Sequence, residues 1–135
     1  MKIYQSKYPK LNGSSYLELE RKARQLYLAE MRRTKRNPYV RSKMFKGEKV
    51  FLKLFWEHLH QKHRSDRDRR LQYYQAALDT IRNSTIIPEY KTNPNNKSEM
   101  VYRIEAKTKD GDKFYVQIKQ NRQGNKHFMS VFPWK

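Results

Sequence analysis

The chain has 135 residues, a single-domain length, and carries 31 Lys and Arg against 13 Asp and Glu, a formal net charge of +18. Such a surplus opposes compaction by self-repulsion and calls for a polyanionic partner, nucleic acid before an anionic membrane surface. Ten Tyr, six Phe and two Trp are too many for a disordered basic tail, so a small folded core is expected, while zero Cys excludes a disulfide scaffold, a thiolate zinc site and a cysteine nucleophile.

The first dozen residues read as an irregular lead-in with no apolar signal-peptide run, and no stretch approaches the roughly 20 apolar residues of a membrane span. A soluble, cytoplasmic protein with no membrane partner is therefore expected. Four Gly, with neither a Walker pattern nor a dinucleotide fingerprint, argue against ATP or NAD chemistry.

Ser15 and Glu18 form a capping-box pair that starts a helix near Tyr16. Leu19, Ala23 and Leu26 recur at helical spacing, and Arg32, Arg33, Lys35 and Arg36 load the C-terminal turns before Asn37-Pro38 ends the helix. A basic connector follows. Val50, Phe51, Leu54, Phe55 and Leu59 then suit a second helix ending near His63, with a strand over Val50 to Phe55 as the alternative. Ser65 and the acids after it suit the start of a third helix, whose stripe is Leu71, Tyr74, Leu78 and Ile81 and which closes at Asn83-Ser84.

Composition changes at Thr85. Ile86-Ile87-Pro88 is β-like and Thr92-Asn93-Pro94-Asn95-Asn96 is a turn-rich loop. Met100, Tyr102 and Ile104 alternate with Arg103 and Glu105, Asp110-Gly111 signals a hairpin, and Phe114, Val116 and Ile118 alternate with Tyr115, Gln117 and Lys119. Arg122-Gln123-Gly124-Asn125 forms a second turn, leading to a last strand from Lys126 to Phe132 whose facing the alternation leaves open. The expected fold is α+β: N-terminal helices followed by a C-terminal antiparallel meander covered by helix. Residues 1–45 read as a basic helical extension, and residues 46–135 as the α+β unit.

Two sets of residues could carry chemistry. The cations Arg32, Arg33, Lys35, Arg36, Arg69, Arg122 and Lys126, with Tyr115 on the open sheet face, are candidate nucleic-acid contacts; phosphate contacts of this kind give affinity and salt dependence without reading sequence. Glu57, His58, His60 and His63 cluster near the end of the second helix. Glu57 and His60 make only one Glu-x-x-His pair, so no metal site is expected there. Imidazole titrates near neutrality and can move the protons that attack by a ribose 2′-OH on phosphate requires, a reaction needing no metal and no cofactor. His58 or His60 could serve as acid or base, Arg70, Arg103 and Lys119 as an electrostatic clamp, and Ser130 or Tyr115 as a positioning donor. A non-catalytic basic nucleic-acid-binding protein, or an interaction module of a phage or conjugative element, is the alternative.

Four pieces in order carry a resemblance: Phe55-Trp56-Glu57-His58-Leu59; an Arg-led helix from Arg70-Leu71 through Ala77-Leu78-Asp79-Thr80-Ile81 into a Pro-containing segment; Tyr102-Arg103-Ile104; and Phe114 to Lys119 paired with Phe128 to Phe132. Together they resemble the barnase, EndoU, colicin and RelE-like (BECR) nuclease superfamily, in its small phage-associated branch. The resemblance spans roughly Val50 to Pro133. It implies a RelE-like fold and metal-independent RNA cleavage, as a toxin or mobile-element effector, with an acidic antitoxin or immunity protein as a candidate partner. It also implies catalytic roles for His58, Arg70, Arg103, Gln117, Lys119 and Ser130. The chain departs from the clearest members in having one histidine, His127, on the expected sheet. The N-terminal helix lies outside the resemblance.

Overall fold

Ser15 stands in extended backbone and its Oγ accepts the N–H of Glu18 at 3.3 Å, so the first helix starts where the sequence placed it. The reciprocal arm of the box is shifted by one residue: the Glu18 carboxylate accepts from the backbone N–H and the hydroxyl of Ser14, at 3.2 and 2.7 Å. The computed structural model describes residues 3–93 and 95–133, so Pro94 of the expected turn lies outside the described residues. Helix α1 spans Tyr16–Thr34 and ends at Lys35 in left-handed backbone, just before the basic cluster is complete.

Strand β1 is Tyr4–Gln5, β2 is Tyr39–Ser42, and β3 is Glu48–Phe51; a short 3-10 turn over Lys43–Phe45 separates the last two. Helices α2 (Lys53–Leu59), α3 (Arg64–Gln72) and α4 (Tyr74–Asn83) follow. Then come β4 (Glu89–Asn93), β5 (Asn96–Lys107), β6 (Lys113–Gln120) and β7 (Lys126–Pro133). The α+β class and the C-terminal β5-β6-β7 meander are as expected. The order of strands is corrected: three lie before the sequence's second helix, and the sheet is mixed rather than purely antiparallel, because β1 runs parallel to β5 and β3 parallel to β7. The path across it is β1-β5-β6-β7-β3-β2, with β4 also pairing β5.

Two helix expectations change. Val50 and Phe51 belong to β3, because Val50 pairs with Val40 and with Lys126 on either side; their place in the ladder outweighs the helical spacing they share with Leu54. The third helix divides at Tyr73 into α3 and α4, and its N-cap is His63, whose Nδ1 accepts the N–H of Ser65 at 3.4 Å.

Among the described residues, helices pack on one face of the sheet, as the alternating burial along β6 and β7 shows. Ile104, Phe114, Val116, Ile118, Phe128 and Val131 point into this layer and are buried. Phe55 of α2 stacks on Phe128 of β7 with ring centroids 4.7 Å apart, and Trp56 donates its indole N–H to the Tyr74 hydroxyl at 3.3 Å. Tyr27 of α1 meets Trp56 edge to face, so α1 shares this core. Burial of each such aromatic contributes about 1.5–3 kcal/mol, which opposes the self-repulsion of a +18 surface. Among the described residues no helix is long and apolar enough to cross a membrane.

Candidate active site

Alternation along β5, β6 and β7 sends every second side chain to the face opposite the helices. The register orders them in three rows: Glu105, Tyr115 and Phe132; Arg103, Gln117 and Ser130; Val101, Lys119 and His127. Neighbours within a row are about 5 Å apart and successive rows about 7 Å apart, the strand and two-residue spacings of a sheet. Strict period two would have put Ser130 on the core side with Phe128. Instead the β6–β7 register shifts between Gln117 and Ile118, and Met129 is the extra residue of a β-bulge. Phe128 and Val131 thus both face the core while His127 and Ser130 both face out.

Arg70 arrives at the rim of this face from α3. Its Nη1 donates to the Ser130 hydroxyl and to the Val131 carbonyl, both at 3.2 Å, and its Nε to Asp66 at 3.1 Å. Ser130 in turn donates to Gln117 Oε1 at 3.5 Å. Burial alone would raise the Asp66 pKa, but hydrogen bonds and charge from Arg70 and Arg69 outweigh it and hold the carboxyl below its usual range. The guanidinium of Arg103 lies 5.4 Å from the Tyr115 ring and 5.8 Å from Phe132, which also faces Arg70 at 5.7 Å. Among the described residues no carboxylate pairs with Arg103. Beside it lies a cavity of about 420 Å³ whose lining includes Glu89, Lys91, Val101, Arg103, Gln117 and Met129.

The third row carries the titratable groups. Lys119 pairs with Glu99 at 3.3 Å. His127 lies next to it on β7, with Nε2 3.4 Å from the Asn121 side-chain amide and its ring 5.5 Å from Phe51. His58, half-buried on α2, feels the same lysine. Burial is the main cause that lowers both imidazole pKa values, and the Lys119 charge adds to it; Lys62 contributes at His58, while Glu57 opposes the shift at both. The other two histidines are engaged elsewhere: His60 Nε2 lies 3.5 Å from Arg24, and His63 caps α3.

Of the six residues singled out for catalysis, Arg70, Arg103, Gln117 and Ser130 adjoin one another and Lys119 stands in the next row, whereas His58 is on α2 and is linked to that row through the Lys119 charge that helps lower its pKa. His127 and Phe132 were missed as site residues because only the bulge decides their side. Asp66 was legible, four residues before Arg70 on one helix. Among the expected nucleic-acid contacts, Arg32, Lys35, Arg36 and Arg122 are exposed, Arg33 pairs with Glu30, and Arg69 with Asp66 at 3.3 Å. Tyr115 packs on Phe132 with centroids 5.4 Å apart. Lys126 is corrected: its side chain is 8% exposed, bound to Glu48 at 2.6 Å and set over the Phe45 ring, so it ties β7 to β3 instead of meeting solvent. Among the described residues no three His, Asp or Glu gather closely enough to hold a metal ion.

Comparison with known proteins finds no match, whether with family models, curated proteins or solved structures.

Proposed function

We propose that the chain is a metal-independent endoribonuclease of the BECR type, a toxin or mobile-element effector whose active face is the open side of β5, β6 and β7. The observation that carries this reading is the adjacency of two groups. Three cationic or amide side chains, Arg103, Gln117 and Arg70 through Ser130, surround one patch; Lys119 and its cross-strand neighbour His127 stand one row away, and the Lys119 charge also reaches His58 on α2.

In the proposed reaction one imidazole, neutral at the outset, takes the proton of the ribose 2′-OH. The 2′-oxygen forms a bond to phosphorus, the bond from phosphorus to the 5′-oxygen breaks, and the second imidazole, protonated, gives its proton to the departing 5′-oxygen. The products are a 2′,3′-cyclic phosphate and a free 5′-OH. Arg103, Lys119 and the Gln117 amide stabilise the extra charge on the non-bridging oxygens. His58 and His127 are assigned the proton transfers, and Arg70 orients Ser130 and Gln117.

A second reading, a non-catalytic basic RNA-binding protein, is favoured by one feature: Arg70 is occupied by Asp66, Ser130 and Val131, as a structural arginine would be. Incubation with structured and single-stranded RNA in EDTA, with mapping of the new ends, separates the two. Cyclic phosphate ends that disappear in His58→Ala and Arg103→Ala, both still folded, are expected. Intact RNA, or cleavage undiminished in both variants, overturns the nuclease assignment.

A further inference from the structure

The open face does not stop at β7. Across the β3–β7 and β2–β3 pairs the third row continues through Phe51 to Tyr39. Ring centroids step from His127 to Phe51 over 5.5 Å and from Phe51 to Tyr39 over 6.1 Å. At its far end Tyr39 enters a second cavity, about 300 Å³, walled also by Arg33, Arg41 and Arg82. Among the described residues the one acid paired there is Glu30, which holds Arg33 and Arg82 at the ends of α1 and α4.

Charge is concentrated here beyond what the fold requires. Between Arg32 and Lys49 eight cationic residues stand against one acid, Glu48, and that acid is taken by Lys126. Arg41 and Lys49 are direct cross-strand partners, a like-charge placement that weakens a sheet. Both lie against the same ring, Lys49 at 4.7 Å and Arg41 at 5.7 Å from the Tyr39 centroid. Cations gathered around an aromatic ring, in line with further rings at about one-strand spacing, are the elements of a single-strand binding track: bases stack on rings and phosphates follow the charge.

We infer that the β2–β3 hairpin and the ends of α1 and α4 form an exosite for single-stranded RNA, with Tyr39 and Phe51 as base platforms and Arg33, Arg41 and Arg82 as phosphate contacts. This rests on RNA being the ligand of the sheet face, and it extends that site by an arm of its own toward the sheet's β2 edge. An acidic protein segment would match the charge but would have no use for the line of rings.

The test uses the full chain and fluorescent single-stranded oligonucleotides of graded length, 2′-O-methylated so that no 2′-OH is left to attack. Wild-type affinity is expected to rise with length until the strand spans both cavities. Tyr39→Leu, which keeps apolar volume and removes the ring, and Arg41→Gln are each expected to lose roughly tenfold in affinity for the longest strand. Arg41→Gln is also expected to make the logarithmic salt slope shallower by about 0.7, one phosphate contact to a single strand. Cooperative thermal unfolding of both variants shows that the losses are not misfolding. Wild-type affinity in both variants, tighter binding of a duplex of equal length, or displacement of the strand by polyglutamate at equal charge overturns the inference. Length-dependent binding that the variants lose, in a protein that cuts no RNA, removes the nuclease reading and leaves the exosite. Cleavage of unmodified RNA with both variants binding normally does the reverse.

Discussion

Asp79 on α4 is 4% exposed and is the anchor that holds the N-terminal segment on the fold. Its Oδ2 accepts from the Ser6 hydroxyl at 2.8 Å, the Tyr4 hydroxyl at 3.1 Å and the Lys7 N–H at 3.2 Å, and its Oδ1 from the Asn83 amide at 2.7 Å. Burial would raise its pKa, but the four donors together outweigh burial and hold it below the ordinary 3.8. In Asp79→Ala the part-buried donors of Tyr4, Lys7 and Asn83 regain water, whereas Ser6 Oγ, in a residue 2% exposed, loses its acceptor. Hydrogen bonds to a charged group contribute roughly 1.5–3 kcal/mol each before such recovery, and a stranded buried group costs roughly 1–3 kcal/mol, so a net loss of about 3 kcal/mol is expected. With a urea m-value of about 2 kcal/mol/M, this moves the midpoint down by about 1.5 M. Because the folded pKa lies below the unfolded one, the carboxylate's contribution is present above 3.8 and is lost as pH falls through the folded value. Urea unfolding of wild type and Asp79→Ala, followed from about pH 6 to about pH 3, is expected to show a gap that narrows on acidification. A midpoint shift under about 0.5 M, or a gap independent of pH, refutes the anchoring argument.

On the proposed proton transfers, the lowered pKa values of His58 and His127 are expected to give a bell-shaped kcat/KM profile with its optimum below the ordinary histidine value of 6.5. Lys119→Met removes one shared cause and is expected to move the profile toward higher pH while lowering its maximum; an optimum above about pH 7 in the wild type refutes the pairing. Deleting Met129 takes out the extra residue of the bulge but keeps Ser130 facing out and Val131 facing in. The chain is expected to unfold cooperatively still, with activity reduced because the lining beside Arg103 and Gln117 is reshaped; loss of the folded state refutes that account of the bulge.

Local rules carried much of the fold. A Ser15 cap, Gly111 and Gly124 at positive φ in the two turns, and the alternation of β5 and β6 act between near neighbours, so they were readable from residue types alone. The charge surplus was readable from composition alone. What tertiary structure alone decided depends on partners far along the chain. Val50 is a strand residue because Val40 and Lys126 flank it, and Lys126 is a buried tie because Glu48 stands 78 positions away. Arg70 meets Ser130 across 60 positions, and a single bulge at Met129 sets which side of the sheet His127 and Ser130 occupy. Periodicity reports which residues share a face of one element, but the assembly of those faces into a site follows from packing between elements. No spacing along the chain encodes that packing.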